Sequence, residues 1–120
     1  MAKDMKISFL LDFYGDMLTA KQREMTDCYY NEDLSLSEIA ENEGITRQGV
    51  RDAIKRAEGQ LLEMENRLGF ARRFREVQKG LGEIREAADR IREENSRCSY
   101  VSEIDDCAKR ISEIAGRLCG

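Results

Sequence analysis

The sequence predicts an all-α protein, with a helix-turn-helix head over residues 1–65 and a tail over residues 66–120 formed by a long helix and a helical hairpin. Three observations point there. Proline is absent, charged residues make up 37% of the chain, and Leu, Glu, Arg, Ala, Lys and Met dominate; these are the strong helix formers. Two helix starts with the same cap spacing flank Glu43-Gly44. From Phe70 onward, apolar residues recur every three or four positions, the spacing of one helix face.

Residues 5–17 are apolar on most of the helix circumference, which predicts a segment buried between other elements or against a second subunit. The run Phe9-Leu10-Leu11 is broken by Asp12 and Asp16 and no small-residue cleavage site follows, so neither a signal peptide nor a membrane span is expected. Thr19 with Gln22 predicts a capping box opening a helix to about Tyr30, with Met25, Cys28 and Tyr29 inward. Asn31-Glu32-Asp33 ends it as a polar turn.

Ser35 with Glu38 predicts a second capping box, with Leu34 and Ile39 at the two positions of a hydrophobic staple. Thr46 repeats the cap, and Ile45 and Val50 repeat the staple positions. Gly44 between them accepts a positive φ and turns the chain. Ala40 is small where two crossing helices approach, and Val50, Ile54, Ala57 and Leu61 form the inner row of the second helix. The result is a tight helix-turn-helix.

In the tail, Phe70, Phe74, Val77, Leu81, Ile84, Ala88 and Ile91 alternate steps of four and three, a heptad seam. Unbroken, residues 66–94 would span roughly 43 Å. Gly80 and Gly82 predict a bend or a close helix approach there. Asn95 to Ser99 breaks the pattern, and Val101, Ile104, Ala108, Ile111, Ala115 and Leu118 form a second seam able to fold back on the first. The apolar first segment and both seams exceed what one small head can cover, so a homodimer is expected.

Composition excludes several chemistries. Histidine is absent, which removes the commonest general base and metal ligand. Cys28, Cys98, Cys107 and Cys119 form no C-x-x-C pair and read as reduced thiols of a cytoplasmic protein. The acidic neighbours Glu32-Asp33, Glu93-Glu94 and Asp105-Asp106 lie at turns or outward faces without a nucleophile or phosphate loop. No catalytic residue, cofactor or metal is expected.

The nucleic-acid reading rests on the second helix of the motif, whose first turn and outer face would enter the DNA major groove. Arg47, Gln48, Arg51 and Lys55 lie outward or at its edge, and Ser35 and Thr46 sit at helix N-termini, where backbone amides hold phosphate oxygens. Arginine reads guanine and glutamine reads adenine bidentately. Residues 46–56 hold four positive charges and one negative, yet residues 1–65 hold 8 basic against 14 acidic residues. That net −6 opposes phosphate binding. A secondary basic patch, Arg67, Arg72, Arg73, Arg75 and Lys79, would suit RNA or an acidic partner. Against it, Arg72 with Glu76, Lys79 with Glu83 and Arg85 with Asp89 read as i,i+4 pairs on a solvated face.

The stretches Leu18-Thr19-Ala20-Lys21-Gln22-Arg23, Asp33 to Ala40 and Gly44-Ile45-Thr46-Arg47-Gln48-Gly49-Val50 resemble region 4 of bacterial sigma factors. More closely, the chain resembles the YlxM family of small helix-turn-helix proteins, over about residues 5–70, with Phe13-Tyr14-Gly15 and Ile54-Lys55-Arg56-Ala57-Glu58 fitting too. The resemblance implies a bacterial cytoplasmic regulatory protein whose gene neighbours those of the signal recognition particle GTPases. It implies DNA binding from the motif and an accessory role in protein targeting from gene position. It carries over Arg47, Gln48 and Arg51 as recognition-helix positions and nothing catalytic. Three functions follow: an accessory protein of the signal recognition particle pathway, a sequence-specific DNA regulator, and a self-associating scaffold.

Overall fold

The computed structural model describes residues 1–120 and contains six α-helices and one 3₁₀ turn: α1 (Met5–Tyr14), the turn Gly15–Met17, α2 (Ala20–Tyr30), α3 (Leu36–Glu43), α4 (Arg47–Leu68), α5 (Phe70–Arg97) and α6 (Ser102–Cys119). The chain divides into two compact units, Met1–Arg72 and Arg73–Gly120. The division expected after residue 65 thus lies seven residues further on, within the first turn of α5.

The first unit is built around α4, which packs on α1, α2 and α3. Its row Val50, Ile54, Ala57 and Leu61 is completely buried. Steps of four, three and four keep these side chains on one stripe, and each large one contributes about 1.5–3 kcal/mol by leaving water. Ile7, Leu10, Leu11 and Tyr14 of α1, Met25, Tyr29 and Tyr30 of α2, and Leu36, Ile39 and Ala40 of α3 complete the core. The apolar first segment is therefore consumed within the head: Phe9 and Phe13 pack against the same core, and of its large apolar residues only Met5 and Met17 are strongly exposed.

Local capping sets the helix starts. The Thr19 hydroxyl accepts from the Gln22 amide at 3.2 Å while Gln22 Oε1 accepts from the Thr19 amide at 3.1 Å, and Ser35 and Glu38 repeat this reciprocal box. Each box satisfies amides that would otherwise lack partners at a helix start. Thr46 Oγ1 accepts from the Gly49 amide at 3.0 Å. At the second staple position Ile45 remains 45% exposed whereas Val50 is buried. Gly44 ends α3 at φ 69° and Gly69 ends α4 at φ 65°, the left-handed conformation that removes Cβ strain only for glycine.

Gly69 decides a point the heptad spacing left open, whether residues 46–94 form one helix or a broken one. The chain stops, turns and restarts as α5 at Phe70. Two side chains from the head fill the place of a cap. Glu65 accepts from the amides of Ala71 and Arg72, both at 3.0 Å, and the Tyr14 hydroxyl, itself donating to Glu65 Oε1 at 2.7 Å, accepts from the Phe70 amide at 3.2 Å. Three amides that open α5 are thereby satisfied.

The second unit is an antiparallel pair, α5 from residue 73 onward with α6. Arg92 Nε lies 3.0 Å from Asp105 Oδ1, Ser112 Oγ donates to Asp89 at 2.9 Å, and the Cys119 thiol donates to the Gln78 carbonyl at 3.6 Å. Ala88, Ala108 and Ala115 are its buried apolar residues. α5 is unbroken at Gly80 and Gly82, and no close approach occurs there: a Cβ at either site would meet nothing within 4 Å. No helix is long and apolar enough to cross a membrane.

Candidate nucleic-acid interface

The residues expected to meet nucleic acid lie on the first turn of α4, which follows α3 across the Gly44 turn. Arg47, Gln48 and Arg51 are all exposed. Arg47 and Arg51 make no ion pair within the chain, so their guanidinium groups are available to an external anion. Gln48 Nε2 instead donates to Asp52 Oδ1 at 2.9 Å, which fixes its amide along the helix. Lys55 lies 3.5 Å from Glu58. The Ser35 and Thr46 hydroxyls are both committed to caps; what they present outward are helix N-termini rather than free donors.

The acids of the head are largely engaged internally. Glu43, its side chain 10% exposed, meets Lys21 at 2.8 Å, and that pairing raises the lysine pKa. Glu58 is buried and accepts from the Tyr30 hydroxyl at 2.5 Å; burial and then this carboxylate push the Tyr30 pKa strongly up. Burial alone would raise the Glu65 pKa, but the Tyr14 hydroxyl, the Ala71 and Arg72 amides and the Arg72 charge together hold it below the ordinary carboxylate value. Asp33 pairs with Lys3 at 2.7 Å and Asp16 with Arg23. The formal −6 of residues 1–65 already counts these cations and is not lowered by the pairing, but the pairing sets a positive charge beside Glu43, the last residue of α3. Each engaged acid already has its own cation or hydrogen-bond donors.

The secondary basic patch is divided between units, with Arg67 and Arg72 in the first and Arg73, Arg75 and Lys79 in the second. Arg67 pairs with Glu63 at 2.6 Å and Arg73 with Glu76 at 3.9 Å. The pairs expected for Arg72 with Glu76, Lys79 with Glu83 and Arg85 with Asp89 do not form; Asp89 receives Ser112 instead. The tail's polar residues near α6 bond across the hairpin rather than along one helix.

Sequence reasoning missed Glu58 and Glu65. Glu58 lies four residues after Ile54, and Glu65 four after Leu61, so both fall on the inner row of α4. A carboxylate there requires a donor, and Tyr30 and Tyr14 supply it. Cys28 is half-buried, and burial followed by the nearby Glu32 pushes its thiol pKa to about 11.

A family model described as "Putative helix-turn-helix protein, YlxM / p13 like" matches residues 1–101. The chain belongs to the UPF0122 family. A UPF0122 protein of Thermoanaerobacter sp. (strain X514) is 41% identical over 108 residues, covering 90% of this chain and 92% of its own. The UPF0122 protein of Symbiobacterium thermophilum is 46% identical over 85 residues, 71% of this chain and 79% of its own, and that of Desulforamulus reducens is 47% identical over 79 residues, 66% and 68%. The UPF0122 match extends beyond residues 5–70, through α5 and the turn that follows it. The family description is that of a helix-turn-helix protein.

Proposed function

We propose that this UPF0122 protein is a cytoplasmic regulatory protein that binds duplex DNA through the first turn of α4 and acts as a dimer. The observation that carries the reading is the pair Arg47 and Arg51, exposed and without an ion pair inside the chain, at the start of a helix whose neighbouring acid Glu43 is engaged by Lys21. Two guanidinium groups one helical turn apart suit phosphate or guanine contacts in a major groove. Gln48 contributes base contact only after leaving Asp52. Thr46 and Ser35 place helix N-termini toward phosphate. Self-association, supported by the half-exposed tail seams, would present two such helices to two half-sites.

Titration of the full chain against a random duplex pool tests this by fluorescence anisotropy across a salt series. Binding that falls steeply with salt is expected, and Arg47→Ala with Arg51→Ala should abolish it. Each single change should cost about 1–3 kcal/mol and lower the salt slope by about 1. Both residues are exposed, so the melting temperature should hardly move. Binding that is absent or indifferent to salt would overturn the reading.

The accessory role in protein targeting rests on the family resemblance. It is tested by affinity purification from cells, with bound nucleic acid sequenced and bound proteins identified. Recovery of particle RNA or its GTPases, with altered GTP turnover, would favour that role over DNA regulation. A dimer recovered without nucleic acid or protein would leave the scaffold.

A further inference from the structure

The hairpin of the second unit leaves most of its large apolar side chains outside its own interface. The helices meet through Ala88, Ala108 and Ala115 and through the Arg92–Asp105 and Asp89–Ser112 contacts. Val77, Ile84 and Ile91 on α5 are 44–49% exposed, and Ile104, Ile111 and Leu118 on α6 are 44–59% exposed. On each helix these three residues are seven apart, so each triplet forms one straight stripe in a coiled-coil repeat. The stripes share one face: Ile91, Ile104 and Ala87 line a common depression. Each stripe runs about 21 Å, on a face about two helices wide. Heptad apolar stripes left half in water are the mark of an unfilled bundle.

Charges at the borders of this face identify the occupant. Helical periodicity places Glu76, Glu83 and Arg90 along the outer border on α5, and Glu103, Arg110 and Arg117 along the outer border on α6. Because Gln78 is level with Cys119 and Arg92 with Asp105, the acidic end of one border and the basic end of the other lie at the same end of the hairpin. Glu83, Arg90, Glu103, Arg110 and Arg117 form no ion pair within the chain.

We infer that the face is closed by the same face of a second copy, forming a four-helix bundle with α5 of one copy across α6 of the other. A two-fold axis parallel to the helices sets Glu76 and Glu83 against Arg117 and Arg110 of the second copy, and Arg90 against its Glu103. An axis perpendicular to the helices would stack α6 on α6 and oppose Arg110 to its own copy, a like-charge contact. The inference rests on the self-association part of the proposed function and is independent of nucleic acid.

Sedimentation equilibrium of the full chain should give a dimer, and Ile84→Glu with Ile111→Glu should give a monomer of unchanged head stability. Because two glutamates on a tail face could also loosen the hairpin, a charge exchange provides a second measurement. Arg110→Glu should weaken the dimer at least tenfold, and adding Glu83→Arg should restore it. Cross-linking fixes the pairing. In a chain lacking Cys28, Cys98 and Cys119 through serine substitution, Ala87→Cys should form a disulfide-linked dimer with Cys107 of the second copy, and Cys107→Ser should abolish the link. A link that survives Cys107→Ser would show α5 against α5 and overturn the pairing. A dimer indifferent to both the glutamate and the charge variants would overturn this surface but not self-association; a monomer at every concentration would overturn both. None of these results bears on DNA binding.

Discussion

At the scale of single residues, the structure turns on two carboxylates placed where a solvated acid would not survive. Glu65 accepts from Tyr14 and from two amides of the next helix, so Glu65→Ala should cost about 1–3 kcal/mol in denaturant unfolding. Its folded pKa lies below the ordinary value, and the unfolded value is near 4.3. The carboxylate's contribution is therefore complete at neutral pH and is lost as pH falls through the folded value. Unfolding measured from pH 7 downward should show the gap between the wild-type protein and Glu65→Gln closing below about pH 4. Cys28 makes a separate prediction: with its thiol pushed up to about 11 and half-buried, it should be alkylated at pH 7.5 far more slowly than exposed Cys98, as peptide mass mapping would reveal. Arg47 and Arg51 were legible as outward residues from helical periodicity alone. Their lack of internal partners was not, because ion pairing depends on where distant acids such as Glu43 find distant bases such as Lys21.

Among the elements, the helix starts were the most legible feature. A capping box is written within four residues, and Thr19–Gln22 and Ser35–Glu38 form as the sequence indicates. The stop at Gly69 was equally local, since a glycine following Arg67-Leu68 is a common helix terminus, yet the seam beginning at Phe70 left open whether the helix continued. Periodicity continued across the break while backbone direction did not. Glycines in the two contexts should respond oppositely. Gly44→Ala meets no atom within 4 Å, but φ 69° imposes about 1–2 kcal/mol of left-handed strain. Gly59 lies inside α4 with equally open space and ordinary φ, so Gly59→Ala should stabilise by up to about 1 kcal/mol. Thermal unfolding of the two variants should move the melting temperature down and up respectively. The tail pair was legible as two seams able to pack together. Their actual contact runs through the alanines of the seams, Ala88, Ala108 and Ala115, and through polar residues beside them, because small side chains let the helices approach while the isoleucines face outward.

For the whole molecule, the division into units makes a prediction about cooperativity. The head holds a core of large side chains around α4, whereas the hairpin alone buries chiefly alanine. Hydrogen exchange should therefore show the slowest amides over Val50–Leu61, independent of protein concentration. Amides of residues 77–91 and 104–118 should slow as concentration rises through the dimer range. Uniform protection throughout the chain at all concentrations would contradict this hierarchy. The net charge of the head was legible from composition, but its placement was not, since composition does not record that Glu43 meets Lys21 while Arg47 and Arg51 form no ion pair. Glu65 also decides where the protein can be cut. A fragment ending at Leu68 would retain every helix of the head, yet it would strip Tyr14 and Glu65 of their three amides and remove the buried Ala71. A fragment ending at Arg72 retains all of them. The smallest self-sufficient head therefore includes the opening turn of the helix that follows it, and dissections placed at the visible helix boundary should yield a weakened protein.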